Sequence, residues 1–195
     1  MTKAMALQTI KRYFSSDTSF SITDASLFSR LYEKTYLSVF RYLYGLTGGP
    51  LQEVEDLTAE VYARAWKTRE NFHGNERAAL GWMLRIAKNL VIDLARNRKV
   101  RDRDEEIDVD LLVDPDQVPE SDFITREQIA TLWQMLSSLP DDQREMLVLR
   151  YILGWQVKQI AQYLDRTENN VSVTIRRTIN RLQRDWPQLQ EKDNE

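Results

Sequence analysis

Residues 154–182 read GWQVKQIAQYLDRTENNVSVTIRRTINRL, and this stretch decides the reading of the chain. Val157, Ile160, Ala161 and Leu164 form one short apolar stripe at helical spacing. Asp165, Arg166 and Thr167 follow as a polar turn. A second stripe then runs Val171, Ile175, Ile179, Leu182, Trp186, in steps of three and four. Two amphipathic helices joined by a tight turn match a helix-turn-helix, whose second helix lies in the major groove of DNA. Opposite the second stripe stand Asn169, Ser172, Val173, Arg176 and Asn180, with Arg177 at the edge. Amides and guanidinium groups are the side chains that bond to base edges and phosphates. The plain alternative is a helix pair of the kind found in any all-helical protein. The turn also departs from the usual form: where positive φ is needed, Gly is the common choice, and here Asp165 has to supply it.

Composition narrows the classes. The 195 residues suffice for one large domain or two small ones, and 42% are hydrophobic, enough to build real cores. Gly (6) and Pro (5) are scarce and strand-like alternation is absent, which predicts an all-α protein. There is no Cys and a single His, His73, so no disulfide, Cys-ligated zinc, His-based metal site or catalytic triad is expected. No apolar run approaches the roughly 20 residues of a membrane span. The N-terminus, MTKAMALQTIKRYF, has no signal-peptide core. A soluble, cytoplasmic protein without cofactors, metals or catalytic residues is expected.

The net charge of −3 conceals an asymmetry. Residues 101–122, RDRDEEIDVDLLVDPDQVPESD, hold 10 acidic and 2 basic side chains with Pro115 and Pro119. Such a segment resists helix formation and repels itself. It reads as a solvated tether, or as an acidic strand that mimics nucleic acid or lies in a basic channel of a partner. Either way it divides the chain. The expected organisation is an extension over 1–23, a helical domain over 24–100, the linker over 101–122, a helix-turn-helix domain over 123–186 and a tail over 187–195.

In the first domain a helix begins near Asp24, with Phe28, Tyr32, Tyr36, Val39, Phe40 and Leu43 at helical spacing, and Gly48-Gly49-Pro50 punctuates its end. The next helix, EVEDLTAEVYARAWK, sets Leu57, Val61 and Ala65 on one side and Asp56, Glu60, Arg64 and Lys67 on another. Glu60 and Arg64 form a favourable (i, i+4) pair. Ordinary surface ion pairs explain these charges but not Tyr62 and Trp66, which look exposed, one of them suited to docking a partner. A third helix is predicted from about Ala78 to Arg98, with Leu80, Met83, Leu84, Ala87, Leu90, Val91 and Leu94 inward. Its other face carries Trp82, Ile86, Asn89, Asp93 and Arg96, flanked by Arg85, Lys88, Arg98, Lys99, Arg101 and Arg103. Basic groups interleaved with an aromatic suit nucleic acid, unpaired bases included. A helix buried on both sides, with Trp82 and Ile86 meeting the first helix, explains those two residues but not Asn89 or the basic flank.

Three segments in this order resemble the group IV, extracytoplasmic-function sigma factors of bacterial RNA polymerase. EVEDLTAEVYARAWK is similar to region 2.2, WMLRIAKNLVIDLARNR to regions 2.3–2.4, and LPDDQREMLVLRYILGWQVKQIAQYLDRTENNVSVTIRRTINRL to region 4. The resemblance implies two small helical domains, the region 2 bundle and the region 4 helix-turn-helix, on a flexible acidic linker. It implies that Asp56, Leu57, Glu60, Val61, Arg64 and Trp66 meet the clamp of the largest polymerase subunit. It implies a base-capturing loop of Phe72, His73, Gly74 and Asn75, and minus-ten contacts from Arg85, Asn89, Asp93 and Arg96. Asn169, Asn170, Ser172, Val173, Arg176 and Arg177 match the minus-thirty-five helix. Expected partners are core polymerase, including the flap of its second-largest subunit, promoter DNA in duplex and single-stranded form, and an anti-sigma factor. The implied mechanism is recruitment and promoter melting, not catalysis; a stand-alone helix-turn-helix regulator and a nucleic-acid enzyme are the rival readings. The chain departs from the family pattern in a Phe72–Trp82 stretch one residue longer than common. Gln156 stands where Ser or Thr often caps, with an expected capping loss of ~1 kcal/mol. Ser172, Val173 and Thr174 stand where basic residues are frequent. Residues 1–23, with the apolar fragment Leu7, Ile10, Tyr13 and Phe14, lie outside the resemblance.

Overall fold

The computed structural model describes residue 22, residues 24–98 and residues 126–192. Both the linker over 101–122 and the fragment Leu7–Phe14 lie outside them. The fold is all-α: seven α-helices and no strand among the described residues. The chain divides into two compact units, one of residues up to Leu43 with Gln52–Asp102, the other of Tyr44–Leu51 with residues from Arg103 onward.

The first unit is built from α1 (Ala25–Thr47) up to Leu43, its last turn from Tyr44 belonging to the second unit, with α2 (Leu51–Thr68), a single 3-10 turn at Arg69–Asn71, and α3 (Glu76–Arg98). Asp24 starts α1: its carboxylate accepts the Ser26 N–H at 2.7 Å. That bond lowers the Asp24 pKa below its ordinary value, as expected for an N-cap. The inward stripe of α1 is Leu31, Thr35, Val39, Phe40 and Leu43. The expected aromatic stripe is therefore rotated. Phe28 and Tyr36 are half-buried and Tyr32 is exposed, because Thr35 takes the inward place. Its hydroxyl can go there since it donates to the Leu31 carbonyl at 2.6 Å and lies 2.8 Å from the Tyr62 hydroxyl. A buried hydroxyl with two partners escapes the desolvation cost of an unpaired one. From α2 come Val54, Leu57, Thr58, Val61, Tyr62 and Ala65. From α3 come Ala78, Ala79, Met83, Leu84, Ala87 and Leu90. Helix α3 begins two residues earlier than the periodicity suggests because Asn75 caps it, accepting the Ala78 N–H at 3.0 Å.

The second unit holds α4 (Arg126–Ser137), α5 (Asp141–Leu147) running into a π-helical turn at Val148–Ile152, α6 (Val157–Leu164) and α7 (Glu168–Lys192). Arg144 gathers the end of α4: its guanidinium donates to the carbonyls of Leu136 (2.9 Å), Ser137 (2.8 Å) and Leu139 (3.1 Å). It also donates to Leu46 of the same unit at 2.9 Å. One side chain thus satisfies carbonyls that the helix leaves orphaned.

Between α6 and α7 the turn closes as a Schellman motif. Asp165 takes φ 55°, ψ 49°, the only non-glycine among the described residues with positive φ. The Arg166 N–H reaches back to the Ala161 carbonyl at 2.8 Å and the Asp165 N–H to Gln162 at 3.4 Å. Thr167 then caps α7 through its hydroxyl, which accepts the Asn170 N–H at 3.2 Å. Helix α6 has a cap of its own despite Gln156, because the Gln159 side chain accepts the Gln156 N–H at 2.9 Å.

Replacing Asp165 by Gly relieves the left-handed strain and is expected to raise stability by on the order of 1 kcal/mol, whereas Asp165→Val lowers it by about 1–2 kcal/mol. Thr167→Ala is expected to cost ~1 kcal/mol. Urea denaturation followed by circular dichroism measures all three; an Asp165→Gly protein less stable than wild type contradicts the account of the turn.

Candidate nucleic-acid and polymerase interfaces

Helix α7 places its candidate residues outward by burying a narrow stripe. Val171, Ile175 and Thr178 are buried, while Asn169, Asn170, Ser172, Arg176, Arg177 and Asn180 are exposed and Val173 is half-buried. The stripe is not the one that apolarity alone suggests. Thr178 displaces Ile179 from the centre because its hydroxyl donates to the Thr174 carbonyl at 2.9 Å and to Gln143 Oε1 at 3.3 Å. At about 100° per residue, this rotation sets Arg176 and Arg177 on either side of the exposed face. Arg177 is therefore not peripheral to it. Arg166 pairs with Asp142 at 3.3 Å, which ties the turn to the start of α5.

In the first unit, the outward face of α2 presents Asp56, Glu60, Arg64 and Lys67. Arg64 Nε donates to Glu60 at 2.7 Å, and its NH1 lies 3.8 Å from Asp93 on α3. The hydrogen bond from Arg64 holds the Glu60 carboxyl below its ordinary value. Leu57 and Val61 face the core, with 8% and 0% exposure. They hold the helix against the core and leave its charged face outward. Consequently Leu57→Ala tests packing, at ~2–5 kcal/mol, rather than a surface contact.

Of the two aromatics expected to be exposed, Trp66 is and Tyr62 is not. Tyr62 is buried at 5% exposure, its ring 4.6 Å from Tyr32 and 6.4 Å from Phe28. Burial pushes its phenol up to about 12, with the Thr35 hydrogen bond pulling the other way. Trp66 remains partly open, but Phe28 meets it edge-on at 5.0 Å and the Arg69 guanidinium covers its ring at 3.9 Å. Arg69 also donates to the Trp66 carbonyl at 2.7 Å. No periodicity marks Arg69 for this, since it lies beyond the end of α2.

Phe72 is buried and packs on Trp82 with ring centroids 5.1 Å apart. In the loop 72–75, then, Phe72 is an anchor, Asn75 a helix cap, and His73 the exposed side chain. Gly74 cannot carry a side chain here: a Cβ would sit 2.7 Å from that of Ala78 and 3.1 Å from the Phe72 ring. Along α3, Asn89, Asp93 and Arg96 are exposed on one face, with Arg85 and Ile86 half-buried before them. Asp93 lies between Arg64 and Arg96, 4.0 Å from the latter. Trp82 sits against the Leu31–Phe72 cluster, as the packing reading of that residue has it.

Residues 31–101 match sigma-70 region 2, and residues 129–182 match sigma-70, region 4. The chain belongs to the sigma-70 family. Relatives are extracytoplasmic-function sigma factors. BldN of Streptomyces coelicolor is 29% identical over 167 residues, covering 84% of this chain and 62% of BldN. SigX of Bacillus subtilis is 26% identical over 169 residues, covering 85% of this chain and 86% of SigX. Among solved structures, the fold is similar to the sigma factor RpoE in complex with the anti-sigma factor NepR from Bartonella quintana, with TM-score 0.59 at 20% identity over 80% of this chain and 94% of RpoE. It is also similar to CnrH in complex with the cytosolic domain of CnrY, with TM-score 0.57 at 20% identity over 92% of this chain and 93% of CnrH. The chain is therefore a sigma factor of the extracytoplasmic-function type, a transcription initiation factor of RNA polymerase. No helix among the described residues is long and apolar enough to cross a membrane.

The raised Tyr62 phenol has a sign that can be checked. Its folded value, about 12, lies above the ordinary 10.0, so its contribution to stability is full below 10 and is lost as pH rises through 12. An absorbance titration of the phenolates is expected to show one late tyrosine near 12 that Tyr62→Phe abolishes. Wild-type and Tyr62→Phe proteins with the same late titration contradict the assignment.

Proposed function

We propose that this sigma factor binds core polymerase, reads two promoter elements and stabilises the melted promoter. Asp56, Glu60, Arg64 and Trp66 on α2 meet the clamp of the largest subunit, with Leu57 and Val61 fixing the helix behind them. Helix α7 lies in the major groove of the minus-thirty-five element and contacts it through Asn169, Asn170, Ser172, Val173, Arg176 and Arg177. The loop around His73 and Gly74 and the face of Arg85, Asn89, Asp93 and Arg96 take the unpaired minus-ten bases. The flap of the second-largest subunit receives the region 4 unit, an anti-sigma factor occludes these surfaces, and the protein works in the cytoplasm.

The observation that carries this reading is the exposed face of α7: amides and two guanidinium groups stand opposite Val171, Ile175 and Thr178, behind a Schellman turn. Minus-ten binding draws support from Asn89, an exposed amide on the helix that follows a Gly-containing loop. Recruitment draws support from the charged outward face of α2. Each half offers few phosphate contacts, so the free protein is expected to hold duplex DNA weakly and salt-sensitively.

Co-purification with core polymerase followed by run-off transcription tests the whole reading. Tight duplex binding by the isolated protein, with no polymerase association, would replace it with a stand-alone regulator. Arg64→Glu is expected to abolish co-purification with the circular dichroism spectrum unchanged. Asn89→Ala is expected to lower permanganate reactivity of the promoter bubble more than closed-complex binding; equal effects on both refute its role at unpaired bases. The double change Arg176→Ala, Arg177→Ala is expected to weaken transcription from promoters dependent on the upstream element at least tenfold. A base contact costs ~1–3 kcal/mol and relaxes one position; a phosphate contact lowers the salt slope by about one.

A further inference from the structure

Ile22 precedes the first helix and lies outside the residues that match region 2, which begin at Leu31. It is nonetheless fully buried, at 0% exposure. Its cluster comprises Ile22, Leu31, Phe72, Ala78 and Ala79, with Phe28 and Trp82 packed against it. Ala78 and Ala79 belong to the first turn of α3, and Phe72 opens the loop that leads into it. Gly74 lies directly against this group, since a Cβ there would collide with both Phe72 and Ala78. The Ala78 N–H is held by the Asn75 side chain. The two ends of the loop 72–75 are thus fixed on one small apolar cluster, and His73 is left exposed above it.

We propose that Ile22 is a positioning residue for this loop. By filling the space behind Phe72 and Ala78–Ala79, it sets the height of the Gly74 backbone and of His73, and so the shape of the site that receives an unpaired base. Interiors are close-packed, and a cavity left by a shortened side chain is only partly refilled, so its neighbours shift or loosen. Ile22 is therefore a determinant of base discrimination, although it belongs to no DNA-facing surface. This deepens the minus-ten reading above and rests on it.

The test uses the full chain with core polymerase and bubble fragments randomised at the unpaired nontemplate bases, with the bound fraction sequenced. Hydrogen exchange of residues 72–79 is followed in parallel on the free protein. Ile22→Ala is expected to speed exchange across 72–79, and to reduce the ratio of preferred to disfavoured base about tenfold. Core-polymerase binding stays at the wild-type level, and Ile22→Val, which keeps the β-branched shape, restores both readouts. A purely structural role predicts instead that polymerase binding and bubble affinity fall together for every base, and that result overturns the proposal. So does unchanged exchange, or wild-type discrimination in Ile22→Ala. A wild-type holoenzyme that binds all bubble sequences alike overturns the base-capture reading itself and the proposal with it, an outcome distinct from discrimination that Ile22→Ala retains.

Discussion

Helix ends are the constraint on which this structure depends. The chain makes seven α-helices among its described residues with only 6 Gly and 5 Pro in its sequence. Each helix leaves four N–H and four C=O groups without intrahelical partners. Asp24, Asn75 and Thr167 supply N-caps. Gln159 caps α6 from within, and Asp165 accepts a left-handed conformation at its other end. Arg144 directs its guanidinium to carbonyls in the last turn of α4 and just after it. Where a cap sits fixes where its helix begins, and hence which side chains turn inward.

Inward places then go to hydroxyls as readily as to aliphatics, provided the hydroxyl is satisfied locally. Thr35, Thr58 and Thr178 are buried, and each donates to the carbonyl four residues earlier. This explains both rotations that apolar periodicity misses. On α1, Thr35 moves Tyr32 outward and leaves the aromatics to stack along an edge around Tyr62. On α7, Thr178 moves Ile179 to the flank and sets two arginines astride the exposed face. A pattern scored on apolarity treats threonine as polar and so displaces the inward stripe by about one residue, or about 100°.

The fold class, the two-part organisation and the helix-turn-helix were legible in the sequence because they rest on periodicity, on an acidic stretch with two prolines, and on scarce Gly and Pro. The positive φ at Asp165 was legible as well, since the turn requires it and Asp tolerates it. What sequence could not separate is which member of an adjacent pair is buried. Tyr62 and Trp66 are four residues apart on one helix, yet one is core and the other is capped by Arg69. Phe72 matched a base-binding loop and proves to be its buried anchor. These assignments depend on neighbours distant in sequence, Thr35 for Tyr62 and Trp82 for Phe72, and no local pattern encodes them.

Burial of the loop's own aromatic changes how its chemistry must work. With Phe72 committed to Trp82 and Asn75 committed to the start of α3, the proposed base capture is left with backbone at Gly74 and the single imidazole of His73. The space that a Cβ at Gly74 would need is taken by the Phe72 ring and the Ala78 methyl, and the proposed site would then discriminate by shape and backbone donors more than by long side chains. On the proposed reading, the rigidity of that site is supplied from behind the surface by the cluster of Ile22, Leu31, Phe72, Ala78 and Ala79. On α7 likewise, the Schellman turn and the Thr178 hydroxyl fix the face on which Arg176 and Arg177 stand, the face proposed to meet the major groove.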